Sequence, residues 1–148
     1  MPKTWDIGQL DTVLMNVENT VRYQLVKTGD DDWNRSLPSG GGLIHLGENQ
    51  EVYSISMFHQ LRCLDIIRTE FINRMASDGE ATPGALTQHC MNYLRQMVLC
   101  RANLRLESCR NAHGPRISVA DITHTCSDWS AVYAAAEENY QTFMNRKR

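Results

Sequence analysis

The sequence predicts a mainly α-helical fold, a small bundle of about four helices with long loops and at most one short β-hairpin. Apolar residues recur at three- and four-residue intervals over four segments, which is typical of amphipathic helices. Stretches rich in Gly, Pro and Asp, which interrupt helices, separate these segments. The 148 residues contain no internal repeat and no long linker, so residues 1–148 are expected to form a single domain.

The first predicted helix covers residues 9–27, whose apolar positions follow the helical spacing: Leu10, Val13, Leu14, Val17, Val21 and Leu25. An acidic stretch from Thr28 to Asp32 ends this helix, and a loop continues through the glycines at 40–42. Residues 43–46 suit a short strand. The helical pattern returns from Val52 to about Met75, which predicts the second helix.

Two further helices complete the predicted fold. The third extends from about Ala85 to Glu107, because Pro83 suits the turn at its start and apolar positions continue at helical spacing. The fourth begins near Ser127 or Asp128, either of which is a good N-cap residue, and continues to about Asn145.

Charge and composition exclude several classes of protein. Fifteen Lys and Arg residues stand against 17 Asp and Glu residues, a net charge of −2, so the chain lacks the basic surface that nucleic-acid binders need. No run of about 18 apolar residues occurs, so no membrane span is predicted in this chain. The apolar fraction of 42% is that of an ordinary globular protein rather than a disordered one.

Five cysteines are present, and none forms a C-x-x-C pair: Cys63, Cys90, Cys100, Cys109 and Cys126. A zinc ribbon or a thioredoxin-type redox pair is therefore not expected. Because five is an odd number, at least one thiol stays free in any monomer, and the count alone does not decide the cellular compartment.

Three short segments place polar, ligand-type side chains where an amphipathic helix would carry apolar ones: residues 58–65, 89–96 and 123–129. In the first segment His59, Arg62 and Cys63 project from one helical face, because they are three and four residues apart. Each segment alone has a simpler interpretation. A lone histidine is more often a satisfied boundary residue, a cysteine is usually a small hydrophobe, and residues 123–129 could be only a helix start with its cap.

Together the segments resemble the UstYa-like family of fungal mycotoxin biosynthesis, and the resemblance covers about residues 33–130. It rests on four stretches of sequence: Phe58-His59-Gln60-Leu61-Arg62-Cys63-Leu64-Asp65, His89-Cys90-Met91-Asn92-Tyr93-Leu94-Arg95-Gln96 with Cys100 downstream, His124-Thr125-Cys126-Ser127-Asp128-Trp129, and the Trp33-to-Gly42 segment. The resemblance implies a tailoring enzyme acting on a small-molecule intermediate, a peptide, polyketide or terpenoid. Relatives in this family perform oxidative cyclisation, hydroxylation or halogenation, with copper as their implied cofactor.

The family motif, His-x-x-His-Cys in two copies, is incomplete in both copies here. One histidine and the cysteine match in each copy: His59 and Cys63, then His89 and Cys90. Arg62 and Leu86 stand at the remaining histidine positions. A guanidinium is permanently charged and does not ligate a metal cation, and a leucine removes a ligand. These replacements favour a member of the family that has abandoned redox chemistry.

The leading hypothesis is therefore a cofactor-independent ring closure or isomerisation. His59 and His89 are the predicted acid and base, Arg62 is the oxyanion stabiliser, and His124 and Asp128 complete the predicted catalytic set. One alternative is a copper-dependent oxidase with His59, His89 and His124 as the metal ligands. Another is a non-catalytic partner of an active homologue, in a homo- or heterodimer.

Four aromatic side chains are candidates for lining an apolar substrate cleft: Trp33, Tyr53, Tyr93 and Trp129. The resemblance also implies a secretory location and, in most relatives, an N-terminal membrane anchor. No anchor is recognised here, so the chain is expected to be soluble as given, in a compartment that the sequence does not identify. The family motifs further imply that Cys100 pairs with Cys126 on oxidation, and Cys109, which lies outside those motifs, is the predicted free thiol.

A simple helical hairpin would not place the two motif histidines at one level. His59 lies about 18 residues before the link of residues 77–84 and His89 about five after it, which leaves about 19 Å between their levels. We therefore expect the two helices to cross steeply, with His59, Arg62 and His89 around one pocket. The 33–46 loop and the His124 segment would close this pocket. Imidazoles more than about 12 Å apart would contradict a shared site.

Overall fold

The computed structural model describes residues 3–77, 82–107 and 122–148, which contain four strands and four α-helices. In chain order these are β1 (Thr12–Val17), α1 (Asp30–Asn34), β2 (Leu43–Leu46), β3 (Glu51–Ser54), α2 (Ser56–Met75), α3 (Ala85–Arg101), β4 (Ile122–Ser127) and α4 (Trp129–Arg146). The mainly helical class is confirmed, although the strands form two small sheets rather than one hairpin. Among the helices described, none is long and apolar enough to cross a bilayer.

The described residues divide into two compact units. The first combines residues 3–20 with 103–107 and 122–135, and it holds the β1–β4 sheet. The second combines residues 21–77 and 82–102 with 136–148, and it holds the β2–β3 sheet together with α2 and α3. Helix α4 begins in the first unit and ends in the second.

The first unit is built on an antiparallel pairing of distant segments. Strand β1 pairs with β4 from Thr12 opposite Ser127 to Val17 opposite Ile122. The prediction of a helix over residues 9–27 is therefore wrong. The apolar spacing there is compatible with a helix, but the segment is rich in β-branched residues, and pairing with a strand more than 100 residues away outweighs the local pattern.

In the second unit, β2 and β3 form the hairpin, and helix α4 closes its outer edge. The predicted strand at residues 43–46 is confirmed, whereas residues 52–54, predicted as helix, belong to β3. The Asn139 side chain of α4 accepts a hydrogen bond from the His45 N–H (2.8 Å) and donates one to the His45 carbonyl (2.9 Å). One amide therefore satisfies both backbone groups of His45 that face away from β3.

A glycine-rich loop leads into this hairpin and lies directly against α2. Gly42 has a positive φ of 82°, and a Cβ atom there would collide with the Phe58 side chain. Glycine is the residue that permits both the left-handed backbone and the close approach. Glu137 of α4 fastens the same loop by accepting a hydrogen bond from the Ser39 N–H (3.1 Å).

Among the described residues, the buried apolar set is small: Ile44, Phe58, Cys63, Cys90 and Ala136. Beside it, Arg68 of α2 is buried and fully bonded. Its guanidinium contacts Asp30 (2.8 Å), Asp65 (2.9 Å) and the Val26 carbonyl (3.2 Å). These bonds fasten the segment around α1, which the sequence predicted to be loop, onto α2.

The ends of the long helices follow local signals. Helix α3 begins at Ala85 as predicted but stops at Arg101, short of the predicted Glu107, because Ala102 adopts a left-handed conformation and its N–H bonds to the Val98 carbonyl. Helix α4 agrees with its prediction. The Asp128 carboxylate accepts the Ser130 N–H (3.0 Å), which is the hydrogen bond of an N-cap residue.

Candidate functional site

His59 and His89 lie on adjacent helices and share one surface. His59 is four residues before Cys63 on α2, and His89 directly precedes Cys90 on α3. The two cysteines form a disulfide with their Cα atoms 5.0 Å apart. The imidazole centroids are 6.2 Å apart, well inside the 12 Å limit. The prediction that the two histidines meet is therefore confirmed.

Tyr93 stacks on His59 and completes a group of three nearly parallel rings. Its ring centroid is 4.0 Å from that of His59 and 6.3 Å from that of His89, with interplanar angles of 23° and 10°. Because His89 is about equally far from both stacked rings, it lies beside the stack rather than on top of it. His89 is exposed, while His59 and Tyr93 are half-buried, so the group is open to a ligand from outside.

The distance between the imidazoles sets how a proton could pass between them. Each ring nitrogen is about 1.2 Å from its centroid, so the nitrogens of His59 and His89 approach no closer than about 3.8 Å, beyond direct hydrogen-bond range. A centroid separation of 6.2 Å leaves room for a water molecule or a small substrate group between the two rings. This arrangement can hold a reacting group between two proton-transfer residues.

The histidines meet through helix register, and a steep crossing is not needed. Contacts between α2 and α3 stay in antiparallel order along α2: Ser56 with Tyr93, Cys63 with Cys90, and Glu70 with Gly84. Gly84 thus lies beside Glu70, five residues before α2 ends, so α3 starts back along α2. The expected gap of about 19 Å assumed that α3 starts at the level where α2 ends. Because the connection between the helices has a length of its own, α3 instead starts further back along α2.

Hydrogen bonds fix the outer end of this group. The Ser56 hydroxyl is 3.0 Å from the Tyr93 hydroxyl, accepts a hydrogen bond from the Gln60 side chain (3.1 Å), and lies 3.8 Å from the Met97 sulfur. Sequence reasoning did not include Ser56 or Met97 in the site. The available signal was their helical spacing, since Met97 follows Tyr93 by four residues and Ser56 precedes His59 by three.

Arg62 makes its hydrogen bond to the glycine-rich loop. Its Nη2 donates to the Gly41 carbonyl at 2.9 Å, and its side chain is otherwise exposed. This bond and the close approach of Gly42 to Phe58 place the 33–46 loop against α2, and its closure of a pocket around the histidines stays a prediction. The structure thus gives Arg62 a loop-holding bond, and its function as an oxyanion stabiliser stays a prediction.

His124 and Asp128 lie in the first unit. His124 is on β4, opposite Met15, and its Nε2 is 3.5 Å from a Glu107 carboxylate oxygen. Of residues 123–129, which could be only a helix start with its cap, residues 123–127 are strand, whereas Asp128 is the cap of α4 and Trp129 its first residue. A hydrogen bond from the Ser130 hydroxyl, followed by backbone N–H bonds, lowers the pKa of the Asp128 carboxyl, which keeps it ionised as the cap of α4. Catalytic functions for these two residues stay predictions.

The four predicted substrate-binding aromatics have different surroundings. Tyr93 is in the histidine group. Trp33 donates its indole N–H to the Gln24 carbonyl (3.1 Å) and lies under the Arg68 guanidinium, 5.8 Å from the ring centroid. Tyr53 donates to a Glu51 carboxylate oxygen at 2.6 Å, which raises the pKa of its hydroxyl. Trp129 begins α4 and is 41% exposed. Of these four, only Tyr93 is seen beside the two histidines.

The disulfide differs from the one that the motifs implied. Cys63 pairs with Cys90, while Cys100 and Cys126 are free, so the expected Cys100–Cys126 bridge is wrong. The close approach of α2 and α3 brings Cys63 and Cys90, the two motif cysteines, within bridging distance. Cys109 lies outside the described residues. Both bridging cysteines stand next to, or one helical turn from, a motif histidine, which was the overlooked signal.

For a copper ion, the histidine group itself supplies two imidazole ligands, His59 and His89. Copper in proteins needs three or more well-placed ligands, and this group offers two imidazoles, since both nearby cysteines are in the disulfide. Within residues 3–77, 82–107 and 122–148, no three His, Cys, Asp or Glu side chains come together in a group that could hold a metal.

Comparison with known proteins identifies the family. The family described as "Mycotoxin biosynthesis protein UstYa" matches residues 2–139, a range that includes all three polar segments. The chain belongs to the UstYa family. No solved structure matches it.

UstYa-family relatives with curated names come from fungi. The chain is 31% identical over 105 residues to "Oxidase ustYa" of Aspergillus flavus, covering 70% of this chain and 49% of the relative. It is 26% identical over 128 residues to "UstYa family oxidase phomYb" of Diaporthe leptostromiformis, covering 74% and 50%. The chain thus spans about half the length of these UstYa relatives. Their names place the family in mycotoxin biosynthesis and describe oxidases.

Proposed function

We propose that the chain acts as a tailoring enzyme on a small-molecule intermediate of fungal secondary metabolism, by ring closure or isomerisation through acid–base catalysis. The observation that carries this proposal is the pair of imidazoles, His59 and His89, with centroids 6.2 Å apart on an open surface. Membership of the UstYa family supports the tailoring function. The acid–base chemistry is argued from the side chains themselves.

The spacing suits two proton transfers to one substrate. Histidine exchanges protons near neutral pH, and imidazoles with centroids 6.2 Å apart can both contact a small group that binds between them. In an isomerisation, one imidazole removes a proton from carbon beside a carbonyl while the other, protonated, donates one at the far end of the shifted double bond. The product has the same formula as the substrate, and the two imidazoles have exchanged protonation states.

The residues around the pair hold its geometry and exclude water from one side. Tyr93 covers a face of His59 at 4.0 Å, and the Ser56 hydroxyl bonded to Tyr93 restrains the phenol. An imidazole fixed in this way presents its nitrogens in one direction, which is the orientation that proton transfer requires. Arg62 stands three residues from His59 and could leave the Gly41 carbonyl for a developing oxyanion.

A second candidate is an oxidase, which the names of the relatives favour. The replacement of two motif histidines by Arg62 and Leu86 weighs against copper at this group, so no step through a metal is derived. The two candidates differ in the formula of their product, which gives a direct test.

The test uses the intermediate that accumulates when the gene is deleted from its fungus. Purified protein is incubated with this compound in D₂O. The product is analysed by mass spectrometry, and the oxygen consumed during the reaction is measured. The proposal predicts an isomeric product with deuterium at one position, unchanged after dialysis against a chelator. Oxygen consumption with loss of two hydrogens or gain of oxygen would contradict it and support the oxidase.

Variants of the pair and of its neighbour complete this test. His59→Gln and His89→Gln should each abolish conversion, whereas Gln88→Ala, at an exposed position next to His89, should not. If the isolated protein converts nothing and conversion appears only with an added homologue, the chain is a non-catalytic partner. That outcome would also contradict the proposal.

A further inference from the structure

The Cys63–Cys90 disulfide joins the same two helices that carry the histidine pair. Cys63 is one helical turn after His59, and Cys90 is bonded through the backbone to His89. The two sulfurs are deeply buried, with residue exposures of 0% and 1%. The bridge therefore joins α2 and α3 at the level where the two imidazoles meet.

We propose that this disulfide is the positioning element of the site, and that the His59–His89 pair assembles only in the oxidised chain. The bridge keeps the Cα atoms of Cys63 and Cys90 at 5.0 Å, which fixes both the separation of the helices and the register that brings His89 beside His59. The importance of this for catalysis rests on the proposed function, whereas the positional claim stands on geometry alone.

Helix α3 has few buried contacts besides the bridge. Of its 17 residues, Cys90 alone is buried. Its other contacts with α2 are partly exposed: the Tyr93 ring stacks on His59, the Tyr93 and Ser56 hydroxyls are hydrogen-bonded, and the Gly84 N–H donates to Glu70. With so little of the helix buried, we expect it to shift when the covalent link is removed, because exposed hydrogen bonds exchange readily with water.

An inference about the compartment follows from the same geometry. A buried disulfide forms and persists where thiols are oxidised, as in the secretory pathway, and is rare where glutathione keeps them reduced. A chain made in a reducing compartment would carry two thiols at these positions. Reduction of the disulfide to two thiols takes up two electrons and two protons. Such a chain would keep His59 and His89 but lose their alignment.

The experiment compares two proteins by NMR of their histidine rings, and it needs no substrate. The reference carries Cys100→Ser, Cys109→Ser and Cys126→Ser, so that only the Cys63–Cys90 bridge can form. The test protein adds Cys63→Ala and Cys90→Ala. Two signals report on the site: the contact between the His59 and His89 ring protons, and the ring-current shift that Tyr93 imposes on His59.

His45 provides the internal control for folding. Its imidazole stacks on Phe143 of α4 at 3.5 Å, so its ring-current shift reports on a different part of the same unit. We expect the test protein, recorded at low temperature, to lose the His59–His89 contact and the His59 shift while the His45 shift stays as in the reference.

Two results would overturn the proposal. If the His59 signals are unchanged without the bridge, other contacts position the pair. If the His45 shift collapses together with the His59 signals, the bridge is a general stabiliser of the unit and has no specific effect on the pair. Because neither measurement involves turnover, both results are independent of whether the acid–base reaction is correct.

Discussion

The histidine pair on α2 and α3 and the histidine on β4 are held in different ways. His59 and His89 are fixed by side chains, a ring stack with Tyr93 and a neighbouring disulfide. His124 is fixed by its backbone, since its strand pairs with β1, and its Nε2 lies 3.5 Å from a Glu107 carboxylate oxygen. The pair is therefore sensitive to single side-chain changes around it, whereas the placement of His124 depends on a long-range pairing that single side chains affect little.

The largest expected effect concerns activity. His59→Gln should lower turnover of the natural intermediate about 10²–10⁴-fold, the usual contribution of a general acid or base. His124→Gln should change it less than about tenfold, because His124 is engaged by Glu107. Steady-state rates of the three proteins measure this difference. A loss as large for His124 as for His59 would assign His124 to the catalytic group.

Removal of the disulfide should have the largest effect on stability. Replacing Cys63 and Cys90 with alanine is expected to lower the free energy of unfolding by about 2–5 kcal/mol, since the cross-link restricts the unfolded chain. Cys126→Ser, at a free thiol on β4, should lower it by less than about 1 kcal/mol. Urea unfolding measures both, and equal effects would show that the bridge does not constrain the fold.

The ring stack should contribute a smaller amount. Tyr93→Leu removes the face that covers His59 and should cost about 0.5–1.5 kcal/mol of stability. It should also reduce kcat more than Tyr93→Phe, which keeps the ring and loses only the Ser56 contact. Met15→Ala, opposite His124, is the matched change in the first unit and should leave kcat nearly unchanged. Equal rates for the Leu and Phe variants would argue that the stack does not orient His59.

The smallest expected effect is a pH dependence at the start of α3. A hydrogen bond from Thr87, then one from the Gly84 N–H, lowers the pKa of the Glu70 carboxyl below its ordinary value. The stability that the Glu70 carboxylate contributes is therefore complete above the pKa of the unfolded state, about 4.3. It is lost as the pH falls through the lower pKa of the folded state. Unfolding is measured from pH 7 to pH 3. The free energy of unfolding of the wild type should exceed that of Glu70→Gln at neutral pH, and the two values should converge in acid. A constant difference would contradict this.

The helical half of the site could be predicted from the sequence because its signals are local. The spacing of His59 and Cys63 and the apolar periodicity around them define α2, and Pro83 with the following pattern places the start of α3. The spacing of residues within each helix does not show where the second helix starts relative to the first. The position of His89 along the helices relative to His59 is therefore seen only in the structure.

The strand half could not be predicted in the same way. Residues 12–17 and 122–127 are short segments whose strand conformation depends on each other across more than 100 residues. Each read alone has another plausible conformation, a helix for the first and a helix start for the second. The disulfide was missed for a related reason. Cys63 and Cys90 are close because of how the helices pack, and the number of cysteines does not reveal this.

The two hydrogen bonds between the Asn139 side chain and the His45 backbone affect how the protein behaves in a crowded solution. A two-stranded sheet normally exposes a row of unpaired N–H and C=O groups that can recruit a strand from another molecule. Here one carboxamide occupies the donor and the acceptor at the middle of β2, as a neighbouring strand would do. Helix α4 thereby protects β2 against intermolecular pairing, the first step toward aggregation and cross-β fibrils.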